Sequence, residues 1–105
     1  MRPQQDQDTT WRESLATWRK WKYPPCPSSV RNVDLMMLDA DTAGLLLRLS
    51  RSEGAADALT LHLLRESQGR LAGVVRGLSG ECRDYFEELG DLVLLALEHA
   101  RAGLL

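Results

Sequence analysis

The chain has 105 residues, of which 44% are hydrophobic and 27% are charged, and its formal net charge is −2. This length predicts one globular domain that can bury a core without a structural metal or a disulfide. The small negative charge excludes the strong positive field that attracts proteins to nucleic acids or to anionic membranes.

The N-terminal region predicts a short tail followed by a helix that bears tryptophans. Residues 1–8 are polar and lack periodicity, so we expect a disordered tail there and a single helical domain over 9–105. The first predicted helix spans 11–22, and Thr10 with Glu13 matches a capping box at its start. Its apolar face consists of Trp11, Leu15 and Trp18.

The middle of the chain predicts a connector and a second apolar helix. A proline-rich stretch over 23–29 should form an extended connector, because proline is incompatible with a helix interior. Residues 30–51 are apolar on two sides, which indicates a short helical turn near 30–37 and then a helix from about Asp39 to Arg51. Asp39 would cap that helix. Whether residues 30–51 form one helix or two remains open.

The last half of the chain predicts an antiparallel helical hairpin. Residues 55–78 and 80–101 carry apolar side chains at spacings of three and four, and only a very short link separates them. Gly77 should end the first of these helices and Ser79 should cap the second. The sequence therefore predicts an all-α fold, a compact four-helix arrangement in which the tryptophan-bearing helix crosses this hairpin.

Three features of this pattern are candidate interaction surfaces. Gly69 and Gly73 share a helix face with Gly77, and they indicate either a groove for a partner or close packing within the chain; we favour packing. Trp11 and Trp18 indicate either interface anchors or core, and here too we favour core.

Adjacent leucines on the last helix form the third candidate surface. Leu94 and Leu95 point away from the apolar stripe that we assign to the core. They indicate a surface for self-association, or else a helix that is buried on more than one side.

The chemistry-bearing residues do not form a recognisable catalytic or metal-binding pattern. The cysteines and histidines lack the spacing of a zinc site or a nucleophile–base pair, so we expect no metal, cofactor or catalysis. His62 is expected to be a partly buried core histidine.

The polar N-terminus lacks a secretory signal, and the longest apolar run, Leu92–Leu97, is shorter than the roughly 20 residues of a membrane span. We therefore expect a cytoplasmic protein in which Cys26 and Cys82 are reduced, small apolar side chains.

The stretch Val33–Gly44, VDLMMLDADTAG, resembles a segment found in short uncharacterised helical proteins of GC-rich soil bacteria. The similarity extends to Glu81–Phe86, ECRDYF. The resemblance implies a bacterial, all-helical protein and implies no known activity or site residue.

These observations favour a non-catalytic protein that acts in protein–protein interaction or regulation, as a homodimer or as the partner of a larger protein. A first alternative is a small-molecule carrier or sensor. Its cavity would be lined by Trp18, Trp21, Met36, Met37, His62 and Tyr85. A second alternative is a helical DNA-binding regulator, which ranks lower because no helix-turn-helix with a basic recognition helix can be placed.

Overall fold

The computed structural model describes residues 3–51 and 57–101, with side chains for 11–51 and 57–100. Within these ranges the chain forms four helices and one two-stranded antiparallel sheet. The elements are α1 (Pro3–Trp18), β1 (Ser29–Val30), β2 (Val33–Asp34), α2 (Leu35–Arg51), α3 (Ala58–Val75) and α4 (Gly80–Arg101). The predicted all-α, four-helix fold is confirmed. The expected break between the second and third helices, at residues 52–54, lies outside the described residues.

Helix α1 is displaced towards the N-terminus relative to its predicted bounds. It begins at Pro3 and so takes in residues that we assigned to the tail, and the predicted start at Trp11 is wrong. Proline is well tolerated in a first helical turn, where its missing N–H group has no helical partner to lose. The helix ends at Trp18, because the backbone then tightens into a turn in which the N–H of Trp21 donates to the Trp18 carbonyl at 2.8 Å.

A small β-hairpin replaces the helical turn that was expected near 30–37. Ser29 pairs with Asp34 and Val30 pairs with Val33. The two residues between them, Arg31 and Asn32, have φ values of 51° and 64°, which is the left-handed geometry of a type I′ hairpin turn. That turn usually contains glycine, so an Arg–Asn pair gives little signal for it in the sequence.

Helix α2 is a single helix and begins earlier than predicted. The Oδ1 atom of Asp34 accepts a hydrogen bond from the backbone N–H of Met37 at 3.0 Å, so Asp34 caps the helix. The predicted cap at Asp39 is therefore wrong. Asp39 lies one turn inside α2, and its carboxylate accepts a hydrogen bond from Tyr85 on α4.

Helices α3 and α4 form the predicted hairpin, and α4 packs against α1, α2 and α3. Asp57 caps α3 by accepting a hydrogen bond from the N–H of Thr60 at 2.7 Å. Gly80 opens α4 with a φ of +60°, a conformation that glycine adopts without a steric penalty. The largest fully buried side chains include Trp11 and Phe86, which places the core between α4 and the other three helices.

A disulfide joins the proline-rich connector to the first turn of α4. Cys26 and Cys82 are bonded, with their Cα atoms 5.4 Å apart and a sequence separation of 56. The expectation of reduced thiols is therefore wrong, and the inference of a cytoplasmic location loses that support. Pairing of two distant cysteines depends on how the connector folds back, which helix periodicity does not report.

Candidate functional site

An open cleft lies between the connector and the first two turns of α4, and its volume is about 820 Å³. We call it the connector cleft. One wall consists of Trp21, Lys22, Tyr23, Pro24 and Pro25, and the other consists of Glu81, Asp84 and Tyr85. Cys26 follows Pro25 and Cys82 follows Glu81, so the disulfide holds the two walls together at one end.

Aromatic rings form one side of this cleft, and Tyr85 stands at their centre. Its ring centroid is 5.2 Å from that of Trp18 and 5.4 Å from that of Tyr23, and the contact with Tyr23 is edge-to-face. Such tilted contacts are the favoured geometry for aromatic pairs. Trp21 lies at the outer end of the cluster and is 43% exposed, so part of its indole remains accessible to a ligand.

Tyr85 is also fixed through its hydroxyl group. That group donates a hydrogen bond to Oδ1 of Asp39 at 2.8 Å and so links α4 to α2. Burial, the hydrogen bond and the charge of Asp39 all raise the pKa of Tyr85 above its ordinary value. Burial also raises the pKa of Asp39, and the hydrogen bond from Tyr85 opposes that rise. Tyr85 is thus a neutral phenol with a positioning role in this wall.

The charge of the cleft is negative at its α4 wall. Glu81 and Asp84 lie one turn apart on α4 and are exposed. Among the described residues no cation approaches either carboxylate within 4.0 Å. The neighbouring Arg83 instead donates to Glu87 at 2.7 Å, so it is already paired. Lys22 contributes one positive charge from the opposite wall.

A second surface feature lies on α4 at the predicted leucine pair. Leu94 is 44% exposed and Leu95 is 37% exposed. Leu94 borders a shallow groove of about 160 Å³ between α3 and α4, where Ala72 and Val75 supply accessible apolar surface. We call this the α3–α4 groove. Gly90 also lines this groove, and a Cβ atom there would lie at an ordinary contact distance of 4.0 Å from the Cβ of Leu71.

The two predicted tryptophan sites are core residues. Trp11 is 1% exposed and Trp18 is 4% exposed, and both belong to the central apolar cluster. Their burial agrees with the packing interpretation that we favoured, and their assignment as interaction residues stays a prediction.

The glycine face does not match the close-packing interpretation at Gly69 and Gly73, and a role in binding a partner stays a prediction. A Cβ atom at Gly69 or at Gly73 would meet no heavy atom within 4 Å, so close packing does not explain these two glycines. Close approach does occur at Gly77, where a Cβ atom would lie 2.9 Å from Cγ1 of Val30 in the β-hairpin. Gly69 and Gly73 lie on an open helix surface, and nothing else described around them points to a ligand.

The cavity that we predicted for a small-molecule carrier is assembled only in part. Trp21 and Tyr85 line the connector cleft, whereas Met36 and Met37 are exposed elsewhere on α2. His62 is not a core residue: it is exposed on α3, and its Nε2 lies 3.7 Å from the carboxylate of Glu66.

Sequence analysis missed several residues that line the connector cleft. They are Lys22, Tyr23, Pro24, Pro25, Glu81 and Asp84. The aromatic and proline residues around position 23 were visible as a cluster. Their position opposite the start of α4 was not, because it depends on long-range packing.

Among the described residues there is no group of three or more His, Cys, Asp or Glu side chains placed to hold a metal ion. None of the described helices combines the length and apolarity that a membrane crossing requires. Comparison of this chain with protein-family models, with curated proteins and with solved structures finds no match.

Proposed function

We propose that the protein is a non-catalytic interaction module that self-associates through α4. One observation carries the proposal: the exposed side chain of Leu94 lies directly beside the apolar α3–α4 groove. A projecting leucine and a recess of matching chemistry on the same face are the two halves of a self-complementary contact.

A two-fold arrangement would use both halves at once. Leu94 and Gly90 lie one helical turn apart on α4, so an antiparallel pair of α4 helices could place each Leu94 over the partner's Gly90. Leu94 would then contact the apolar surface of Ala72 and Val75 in the groove. Leu95 lies on the adjacent flank of α4 and would extend the buried apolar area.

Charge at the edge of the groove opposes this contact. Glu87 and Asp91 both line the groove, and a two-fold axis brings like charges from two copies towards each other. Salt screens such exposed charges, so self-association should strengthen as ionic strength rises. This direction distinguishes an apolar contact from one built on ion pairs, which would weaken.

The test is the solution mass, measured by light scattering during size exclusion at several protein concentrations and two salt concentrations. The native chain is expected to approach twice the monomer mass as concentration rises. The variant Leu94→Ser/Leu95→Ser should remain monomeric with an unchanged helical circular dichroism spectrum. Leu59→Ser, which removes an exposed leucine from α3, is the matched control and should behave like the native chain.

A native chain that is monomeric at every concentration would contradict self-association, as would a double-serine variant of unchanged mass. One observation, the connector cleft, is compatible with the carrier interpretation. The DNA-binding interpretation gains none and stays a prediction.

A further inference from the structure

We infer that the connector cleft is a binding site for an arginine side chain presented by an extended segment of a partner protein. This inference concerns a surface other than the leucine pair, and it does not depend on self-association.

The size and the lining of the cleft favour a segment of chain over a single side chain. Its volume of about 820 Å³ falls within the range of peptide and ligand sites, and it is open to solvent. Its walls combine tryptophan, tyrosine and proline surface, which is the kind of groove that extended, proline-containing peptides occupy. The tilted contacts around Tyr85 and the disulfide at one end fix these walls before any ligand binds.

The charge of the cleft selects a cation. Glu81 and Asp84 lie side by side on one wall and have no cationic partner among the described residues, whereas Arg83 between them is engaged with Glu87. Lys22 on the other wall offsets one of these two negative charges. A ligand with one positive charge therefore balances the lining.

The combination of an accessible indole and two carboxylates favours a guanidinium group over other cations. A guanidinium is planar, so it can stack on the face of Trp21 while its N–H groups point outward to Glu81 and Asp84. An ammonium group lacks that flat surface. A quaternary ammonium group would need several open aromatic faces, but Tyr85 is almost completely buried and Trp21 alone is widely exposed.

The experiment is a titration of the isotopically labelled protein, with its disulfide intact, followed by the indole N–H signal of Trp21. The probes are the capped peptide Ala-Pro-Arg-Pro-Ala, the same peptide with citrulline or lysine in place of arginine, and the capped amino acid arginine alone. We expect a saturable shift with the arginine peptide. Binding should weaken by about tenfold with the neutral citrulline peptide, because the charge-dependent contacts are lost.

Variants of the protein locate the site. Trp21→Leu and Glu81→Gln/Asp84→Asn should each weaken the binding of the arginine peptide several-fold. Glu98→Gln, which neutralises an exposed carboxylate near the other end of α4, is the matched control and should leave the affinity unchanged. Because Trp21, Glu81 and Asp84 are exposed, these variants should retain the native circular dichroism spectrum. The Trp21 variant is followed by backbone amide signals of α4.

Several results would overturn the inference. Equal affinity for the citrulline peptide would remove the role of charge, and equal affinity for the lysine peptide would remove the role of the planar group. If capped arginine alone bound as tightly as the peptide, the occupant would be a small molecule and not a segment of a protein. No saturable shift with any probe would mean that the cleft does not bind arginine.

Discussion

At the scale of single residues, Tyr85 connects more elements of the fold than the other cleft residues described above. It contacts Trp18 and Tyr23 through its ring and Asp39 through its hydroxyl, so it joins α1, the connector, α2 and α4 at one point. A helical pattern assigns it to the core face of α4 but does not indicate the polar partner. The hydrogen bond to Asp39 links residues 46 positions apart, and sequence offers no rule for such a pair.

The raised pKa of Tyr85 predicts how stability depends on pH. The native state keeps the phenol protonated at pH values where an unfolded chain, with the ordinary pKa of 10.0, loses that proton. The native state therefore binds more protons above pH 10, so the free energy of unfolding should fall as the pH rises through that range. Tyr85→Phe should flatten the fall, and at neutral pH it should cost about 1 kcal/mol for the lost hydrogen bond.

Urea unfolding from neutral pH to pH 12 measures both effects. Tyr23→Phe is the informative comparison, since burial and nearby carboxylates raise the pKa of Tyr23 as well and its removal should flatten part of the curve. A Tyr85→Phe curve parallel to that of the native protein would show that the phenol ionises equally in both states.

At the scale of secondary structure elements, the sequence was most informative where apolar periodicity was long. Helices α3 and α4 were predicted within a few residues because each buries side chains at spacings of three and four and a short link joins them. The β1–β2 hairpin was not predicted, because strands of two residues are too short to show alternation and the turn between them contains no glycine. The first turns of α1 were missed because they precede the apolar stripe.

The two candidate sites also differ in how far the sequence predicts them. Exposure of Leu94 and Leu95 could be predicted, since it is a property of one helix and its phase. The connector cleft could not, because its two walls come from opposite ends of the disulfide loop. Physical contact between them requires the connector to fold over α4, and only tertiary packing determines that.

Alanine substitutions at two glycines, Gly69 in α3 and Gly77 just after it, should change the stability of the protein in opposite directions. Gly69→Ala should raise the free energy of unfolding by about 0.5–1 kcal/mol, because alanine favours a helix interior and the added Cβ meets nothing within 4 Å. Gly77→Ala should lower it by about 1 kcal/mol, since the added Cβ would lie 2.9 Å from Val30 and the β-hairpin would have to shift. Urea unfolding of the two variants side by side provides the measurement.

Opposite signs at these two positions are the expected result. If Gly69→Ala were destabilising, the open surface described for that part of α3 would be wrong. If Gly77→Ala were neutral, the β-hairpin would be able to move away from α3 without cost.

At the scale of the whole molecule, α4 is the helix against which the other three pack, and the disulfide joins the two walls of the connector cleft. The buried side chains form one cluster around α4, to which α1, α2 and α3 all contribute. Residues of the connector are only partly buried against this cluster, so the connector depends more on its covalent link than the helices do. Loss of the disulfide should therefore destabilise the position of the connector more than the packing of the four helices.

The final prediction concerns that link. A disulfide between cysteines with a sequence separation of 56 stabilises a protein by about 4 kcal/mol, because it limits the conformations of the unfolded chain. Cys26→Ser/Cys82→Ser should lower the free energy of unfolding by about that amount while helical circular dichroism persists, since the core residues on the helices remain in place. Urea unfolding with and without reductant measures it: reductant should destabilise the native chain and leave the double-serine variant unchanged. Loss of helical signal in the variant would instead mean that the connector is required for the four helices to pack.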